Sequence, residues 1–121
     1  MTDLSKPAKT ILTDVGAGGA ISRSTSEAIH IFIAERLPAA GQPLSEAAAH
    51  HFMAPGKMLR AKMALRAADA LKVDRAAAMH WAAAIEVLHN ASLIHDDICD
   101  GDRLRRGRPA VWSVYGRDVA L

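Results

Sequence analysis

The sequence predicts an all-α chain, and three observations predict it. Half of the 121 residues are hydrophobic, with alanine supplying many of them, while aromatic residues make up only 4%. Alanine and leucine favour helix, and the β-branched and aromatic residues that favour strands are sparse. Apolar residues also recur at helical rather than alternating spacing.

The elements follow in order. Residues 1–22 read as a flexible N-terminal segment, with Gly16, Gly18 and Gly19 marking a joint. Ser24-x-x-Glu27 fits a capping box, so a first helix is expected over 25–37, with Ile29, Phe32, Ile33 and Leu37 on one face. Pro38 to Pro43 reads as a turn, and 44–53 as a short helix ended by Ala54-Pro55-Gly56. A third helix is expected over 57–71, with Leu59, Met63, Leu65, Ala68 and Leu71 at helical spacing. The longest helix, 74–98, is apolar nearly all round through Ala82–Ala84, Ile85, Val87, Leu88 and Leu93, which predicts a central position. Residues 99–108 read as a polar loop, and Pro109 as the first turn of a short helix ending near Gly116.

Composition excludes several classes. The net charge of +2 makes no case for nucleic-acid binding. No apolar run is long enough to span a bilayer. The N-terminus lacks the apolar stretch of a signal peptide, and the single cysteine, Cys99, cannot form an internal disulfide. A cytoplasmic protein is expected.

Chemistry concentrates in Glu86 to Pro109. Asp96, Asp97, Asp100 and Asp102 fall within seven residues, and Arg103, Arg105, Arg106 and Arg108 follow within six. Asp96 and Asp100 share a helical face, and carboxylates crowded at a helix C-terminus repel one another and the helix dipole. A cation is therefore expected, and Mg2+ suits a set of oxygens shared with phosphate. Arginine suits diphosphate through its planar fork. Lys57 and Arg60, just after Gly56 at a helix start, form a second candidate anion site. Blander readings stand beside these: a solvated acidic cap bridged to the arginines, an ordinary solvated helix start, and a packed core histidine at His89. His95 is a candidate for orienting a carboxylate. Arg103 and Arg108 read as surface charges, and His30, His50, His51 and His80 as surface or packing residues.

Gly56-Lys57-x-x-Arg60, Glu86-x-x-His89, Leu93-Ile94-His95-Asp96-Asp97-x-x-Asp100, Arg105-Arg106-Gly107-x-Pro109 and Tyr115-Gly116-x-Asp118 occur in that order. Together they resemble the N-terminal part of the trans-isoprenyl diphosphate synthases, or polyprenyl synthetases, over residues 20–121. The resemblance implies a helical bundle around an apolar cavity, usually a homodimer, and head-to-tail condensation of isopentenyl diphosphate with an allylic diphosphate. It implies that Asp96, Asp97 and Asp100 bind the allylic diphosphate through Mg2+ and that Arg105 contacts the same group. It assigns Gly56, Lys57, Arg60, His89 and Arg106 to isopentenyl diphosphate. Ala91 and Ser92 match the positions where bulky residues block chain growth; both are small, so the product expected is geranylgeranyl diphosphate or longer.

Met58 and Ala61 depart from the family's GKRxRP pattern. The family's second aspartate-rich motif, which lies in its C-terminal half, is not in this sequence. Residues 23–121 are thus expected to be the N-terminal part of a polyprenyl synthetase domain, inactive or nearly so alone. Two rival readings are a non-catalytic partner or half of a split enzyme, and a metal-dependent HD-type phosphohydrolase suggested by His95-Asp96.

Overall fold

The computed structural model describes the backbone of residues 18–54 and 56–121, and side chains from residue 25 onward. The expectation of a loose segment over 1–17 lies outside the described residues, as does the conformation of Pro55. Helix α1 spans Gly18–Ala34, followed by a 3₁₀ turn Leu37–Ala40. Helix α2 is Leu44–Phe52, α3 Leu59–Ala70 and α4 Arg75–Asp100. A two-stranded hairpin, β1 (Leu104–Arg105) and β2 (Arg108–Pro109), leads to the short helices α5 (Val111–Tyr115) and α6 (Arg117–Ala120). The described residues are all-α apart from that hairpin.

Helix α1 starts earlier than the capping box predicts, so Ser24 lies inside it and Gly18 and Gly19 belong to the helix rather than to a joint. Two glycines cost about 1 kcal/mol each in a helix. Helix α3 starts two residues later than predicted because Met58 takes a left-handed conformation, with φ 54°. That conformation costs about 1–2 kcal/mol in a residue with a side chain. Burial of the Met58 side chain in the core offsets it.

Helix stops obey local chemistry. At the end of α3, Val73 N–H bonds the Ala68 carbonyl and Lys72 N–H the Asp69 carbonyl, a Schellman pair with Lys72 left-handed. Asp74 then caps α4 by accepting from Ala77 N–H at 3.0 Å. At the other end of α4, Asp102 N–H bonds the Asp97 carbonyl and Gly101 N–H the Ile98 carbonyl, with Gly101 at φ 69°. Because Gly101 makes the stop, α4 runs two residues beyond the predicted end, and Asp100 stays on the helix.

The core lies where α3 and α4 pack together beneath α1 and α2. It comprises Ile29, Ile33, Phe52, Met58, Ala61, Leu65, Ala78, Ala82 and Ala83. Alanine on both sides of the α3–α4 contact lets the helices approach closely. The predicted face of α3 is half right. Leu65 is buried, but Leu59, Met63 and Leu71 are exposed, because Ala61 and Leu65 define the buried stripe. Helix α4 is central, packing against α1, α3, α5 and α6, but it is not covered all round. Its flank of Trp81, Val87 and Leu88 is open, with Trp81 69% and Leu88 73% exposed.

The loop predicted over 99–108 contains the hairpin instead. Leu104 pairs with Pro109 and Arg105 with Arg108, leaving Arg106-Gly107 as a two-residue turn with φ 53° and 75°. Positive φ at both positions matches the twist that tight hairpins need. Pro109 therefore sits on a strand, and α5 begins at Val111 rather than at the proline.

Candidate active site

One cleft brings together residues from four parts of the chain. It has a volume of about 350 Å³ and is lined by Gly56, Lys57, Met58, Leu59, Arg60, Glu86, His89 and Arg106. All five residues expected to hold isopentenyl diphosphate line it. Gly56 and Lys57 come from the segment before α3, Arg60 from its first turn, His89 from the middle of α4, and Arg106 from the tip of the hairpin. Arg106 reaches back to donate from Nη1 to the Ala54 carbonyl at 2.7 Å. Its Nη2 lies 2.7 Å from the place a Cβ on Gly56 would occupy. Glycine at 56 is what lets the guanidinium lie against the backbone.

The acidic end of α4 is arranged differently. Asp97 is 2% exposed and turned inward. Arg105 grips it with two parallel bonds, Nε to Oδ2 and Nη2 to Oδ1, both 2.8 Å. That bond raises the Arg105 guanidinium further above its ordinary pKa, with the nearby Asp102 and Asp96 charges adding to it. Asp97 thus lies apart from the other two expected metal ligands, and Arg105 keeps three of its five N–H donors, two on Nη1 and one on Nη2, for a substrate. The reason is helix geometry: consecutive residues are about 100° apart, so Asp96 and Asp97 face different surroundings.

Asp96 and Asp100 remain exposed on one face, one turn apart. Among the described residues, no three acidic, histidine or cysteine side chains gather into a metal-holding group. Two carboxylates at this spacing still fit magnesium, which fills its oxygen shell with waters and substrate phosphates. His89 and Asp96 are seven residues apart on one side of α4, so the cleft and the acidic pair are separated by about 10 Å along its axis. Ala91 and Ser92 lie on the exposed flank, with Ser92 Oγ donating to the His89 carbonyl at 2.6 Å.

Other expectations change. His95 meets Cys99, with Nδ1 3.7 Å from Sγ, and does not orient a carboxylate. Arg108 is half-buried rather than a free surface charge. It donates to His50 Nδ1 at 3.3 Å, while His50 Nε2 donates to the Pro109 carbonyl at 2.8 Å. Arg103 stays at the surface over the Trp112 ring, 5.1 Å from its centroid.

Sequence reasoning passed over a buried polar chain beneath the cleft. Glu86, 4% exposed, accepts from the Ala61 N–H at 3.1 Å. Asn90 Nδ2 donates to the Glu86 carbonyl at 2.7 Å, so its Oδ1 faces His51 Nε2, also at 2.7 Å. An amide oxygen only accepts, so His51 carries its proton on Nε2. Burial lowers the His51 pKa; the Asn90 bond opposes this, Arg106 and Arg105 reinforce it, and Asp97 opposes it. A signal for this chain existed: Glu86, Asn90 and Asp97 recur at helical spacing on the side of α4 that faces the core.

Comparison with known proteins adds to this geometry. The polyprenyl synthetase family model matches residues 42–121. A geranylgeranyl diphosphate synthase of Saccharolobus solfataricus is 46% identical over 78 residues, covering 64% of this chain and 24% of that protein. A geranylgeranyl pyrophosphate synthase of Geoglobus acetivorans is 39% identical over 100 residues, covering 83% of this chain and 30% of that protein. The chain thus spans roughly a quarter of the length of these curated relatives. Among solved structures, an apo FPP/GFPP synthase from Zymomonas mobilis matches with a TM-score of 0.75 and 36% identity, over 84% of this chain and 38% of that one.

Proposed function

The chain belongs to the polyprenyl synthetase family, and from that premise we propose that it forms part of a trans-prenyl diphosphate synthase and supplies both diphosphate-binding regions. The observation that carries this reading is the cleft, where Lys57, Arg60, His89 and Arg106 converge from separate elements. Three strongly cationic groups around one space suit a diphosphate, and arginine adds paired donors.

Asp96 and Asp100 would hold magnesium, which when bound neutralises the diphosphate of an allylic substrate and so favours its departure. Arg105 acts from behind: it holds Asp97 and keeps the end of α4 and the hairpin in one arrangement. The cleft cations orient isopentenyl diphosphate so that its double bond faces the allylic carbon. The new carbon–carbon bond forms there as the allylic carbon–oxygen bond breaks, and proton loss from the adduct restores the alkene. Most of the rate enhancement in such a site comes from positioning and fixed charge.

The flank of α4 below Asp96 carries Trp81, Val87, Leu88, Ala91 and Ser92. It suits a growing isoprenoid chain, and small residues at 91 and 92 favour geranylgeranyl diphosphate or a longer product. That flank is open to water among the described residues, and water quenches an allylic cation. The 121-residue chain alone is therefore expected to bind isopentenyl diphosphate but not to turn over. The same open flank favours a second reading, in which the chain works only when another polypeptide covers it. A homodimeric, cytoplasmic enzyme is the setting proposed for the full protein. No helix of the described residues is long and apolar enough to cross a membrane.

The test is calorimetric titration with isopentenyl diphosphate, with mass spectrometry of incubations containing farnesyl diphosphate and magnesium. Saturable binding that Arg106→Ala weakens at least tenfold supports the reading. No binding by the folded chain, or binding indifferent to Arg106, sinks it.

A further inference from the structure

We propose that Glu86 is a positioning residue for the diphosphate cleft, acting by capping the helix that carries Arg60 and begins just after Lys57. This rests on the diphosphate reading of that cleft. Glu86 is the one carboxylate in a wall otherwise made of cationic, apolar and glycine residues and His89. A negative charge opposes an incoming diphosphate, and burying a carboxylate is costly unless it is hydrogen-bonded. The geometry gives it another task.

Helix α3 begins without a side-chain cap of its own, because Met58, at the capping position, places its side chain in the core. The first N–H groups of a helix need acceptors. Glu86 supplies one from across the helix pair: its Oε1 meets the Ala61 N–H at 3.1 Å, from 25 residues later in the chain. A carboxylate at this point also opposes the positive end of the helix dipole. Arg60 lies in the turn that this bond holds, and Lys57 lies just ahead of it.

The turn of α4 that bears Glu86 is itself anchored. The Glu86 carbonyl accepts from Asn90 Nδ2–H, and Asn90 Oδ1 accepts from His51 Nε2–H on α2. One chain of hydrogen bonds therefore joins α2, α4 and the start of α3 beneath the cleft. Its far end at His51 lies within electrostatic reach of Arg105 and Arg106.

The test compares the 121-residue chain with its Glu86→Gln and Glu86→Ala variants. Two quantities are read: the Kd for isopentenyl diphosphate, and amide hydrogen exchange at Ala61 with Leu65 as the reference within the same helix. Gln keeps an acceptor oxygen at the same reach. Glu86→Gln is expected to hold Kd within about threefold of the parent and to keep Ala61 protected. Glu86→Ala is expected to raise Kd about tenfold and to speed exchange at Ala61 but not at Leu65, an effect the size of a lost helix cap. If the alanine variant does not fold, Glu86→Asp, whose shorter arm withdraws the oxygen, replaces it. A folded Ala or Asp variant with parental Kd and parental Ala61 protection overturns the proposal, as does a Gln variant that loses as much as Ala. If the parent chain takes up no isopentenyl diphosphate, the diphosphate reading falls separately. Exchange at Ala61 then decides the capping contact by itself: a selective loss upholds the cap, with no diphosphate for it to serve, and unchanged protection overturns it.

Discussion

The cationic cleft and the acidic end of α4 were drawn from motifs of similar strength, yet they assemble in opposite ways. In the cleft, residues far apart in sequence converge: Gly56, Lys57 and Arg60 meet His89 and Arg106 in one space. At the acidic end, neighbours in sequence diverge. Asp97 is locked to Arg105 in the interior, and Asp96 and Asp100 face outward. A run of like residues on a helix is a set of directions, not a cluster. A run of unlike residues on separate elements becomes a cluster when the fold brings the elements together.

The largest expected effect tests that divergence. Arg105→Ala leaves Asp97 buried without its bidentate partner, and should cost on the order of 3 kcal/mol in urea denaturation. A loss below about 1 kcal/mol would mean that Asp97 reaches water or another partner, and the contrast with Asp96 would collapse.

Next comes the convergence. Gly56→Ala sets a Cβ 2.7 Å from Arg106 Nη2 and must displace the guanidinium. The Kd for isopentenyl diphosphate should rise about tenfold, or roughly 1.4 kcal/mol. In an Arg106→Ala background the same change should add little. Full additivity would separate glycine from arginine and undo the cleft's geometry.

A smaller effect concerns the buried chain that joins the two regions. Burial holds the His51 pKa below its ordinary 6.5 in the folded state. Below that value the unfolded chain binds the proton more readily, so the His51 contribution to stability is present above pH 6.5 and is lost as pH falls through the folded pKa. The denaturation midpoint should drop on acidification from pH 7. His51→Gln should flatten that slope relative to the parent; an unchanged slope would assign it to other groups.

The smallest effect on folding is expected at the exposed carboxylates. Asp96→Asn and Asp100→Asn should alter stability by less than about 0.5 kcal/mol. Both should weaken magnesium-dependent binding of an allylic diphosphate, read by titration with and without the metal. A large stability change at either position would show that they too are structural.

Helix α4 was legible in its own residues and the members of the cleft only through the family resemblance; the hairpin and the Asp97–Arg105 lock were not. Helix formers, Asp74 at one end and Gly101 at the other all act within a turn or two, so the helix can be read from its own residues. The Arg106-Gly107 turn was hidden because an arginine at positive φ goes against local preference, and the strand pairing on either side together with its contact to Ala54 across the fold holds it there. The open flank of α4 was misread because its apolar pattern says only that it avoids water. Which surfaces cover it depends on neighbours.

By itself the sequence determined the helical class, the extent of α4 to within two residues, and which residue types can grip diphosphate and magnesium, because these follow from short-range backbone chemistry and side-chain functional groups. Only the tertiary structure decided that Asp97 pairs with Arg105, that Glu86 caps α3, and that Gly56 makes room for Arg106. Each of those contacts joins residues on different elements, so their partners are set by packing and by the need to satisfy buried charge, not by local spacing.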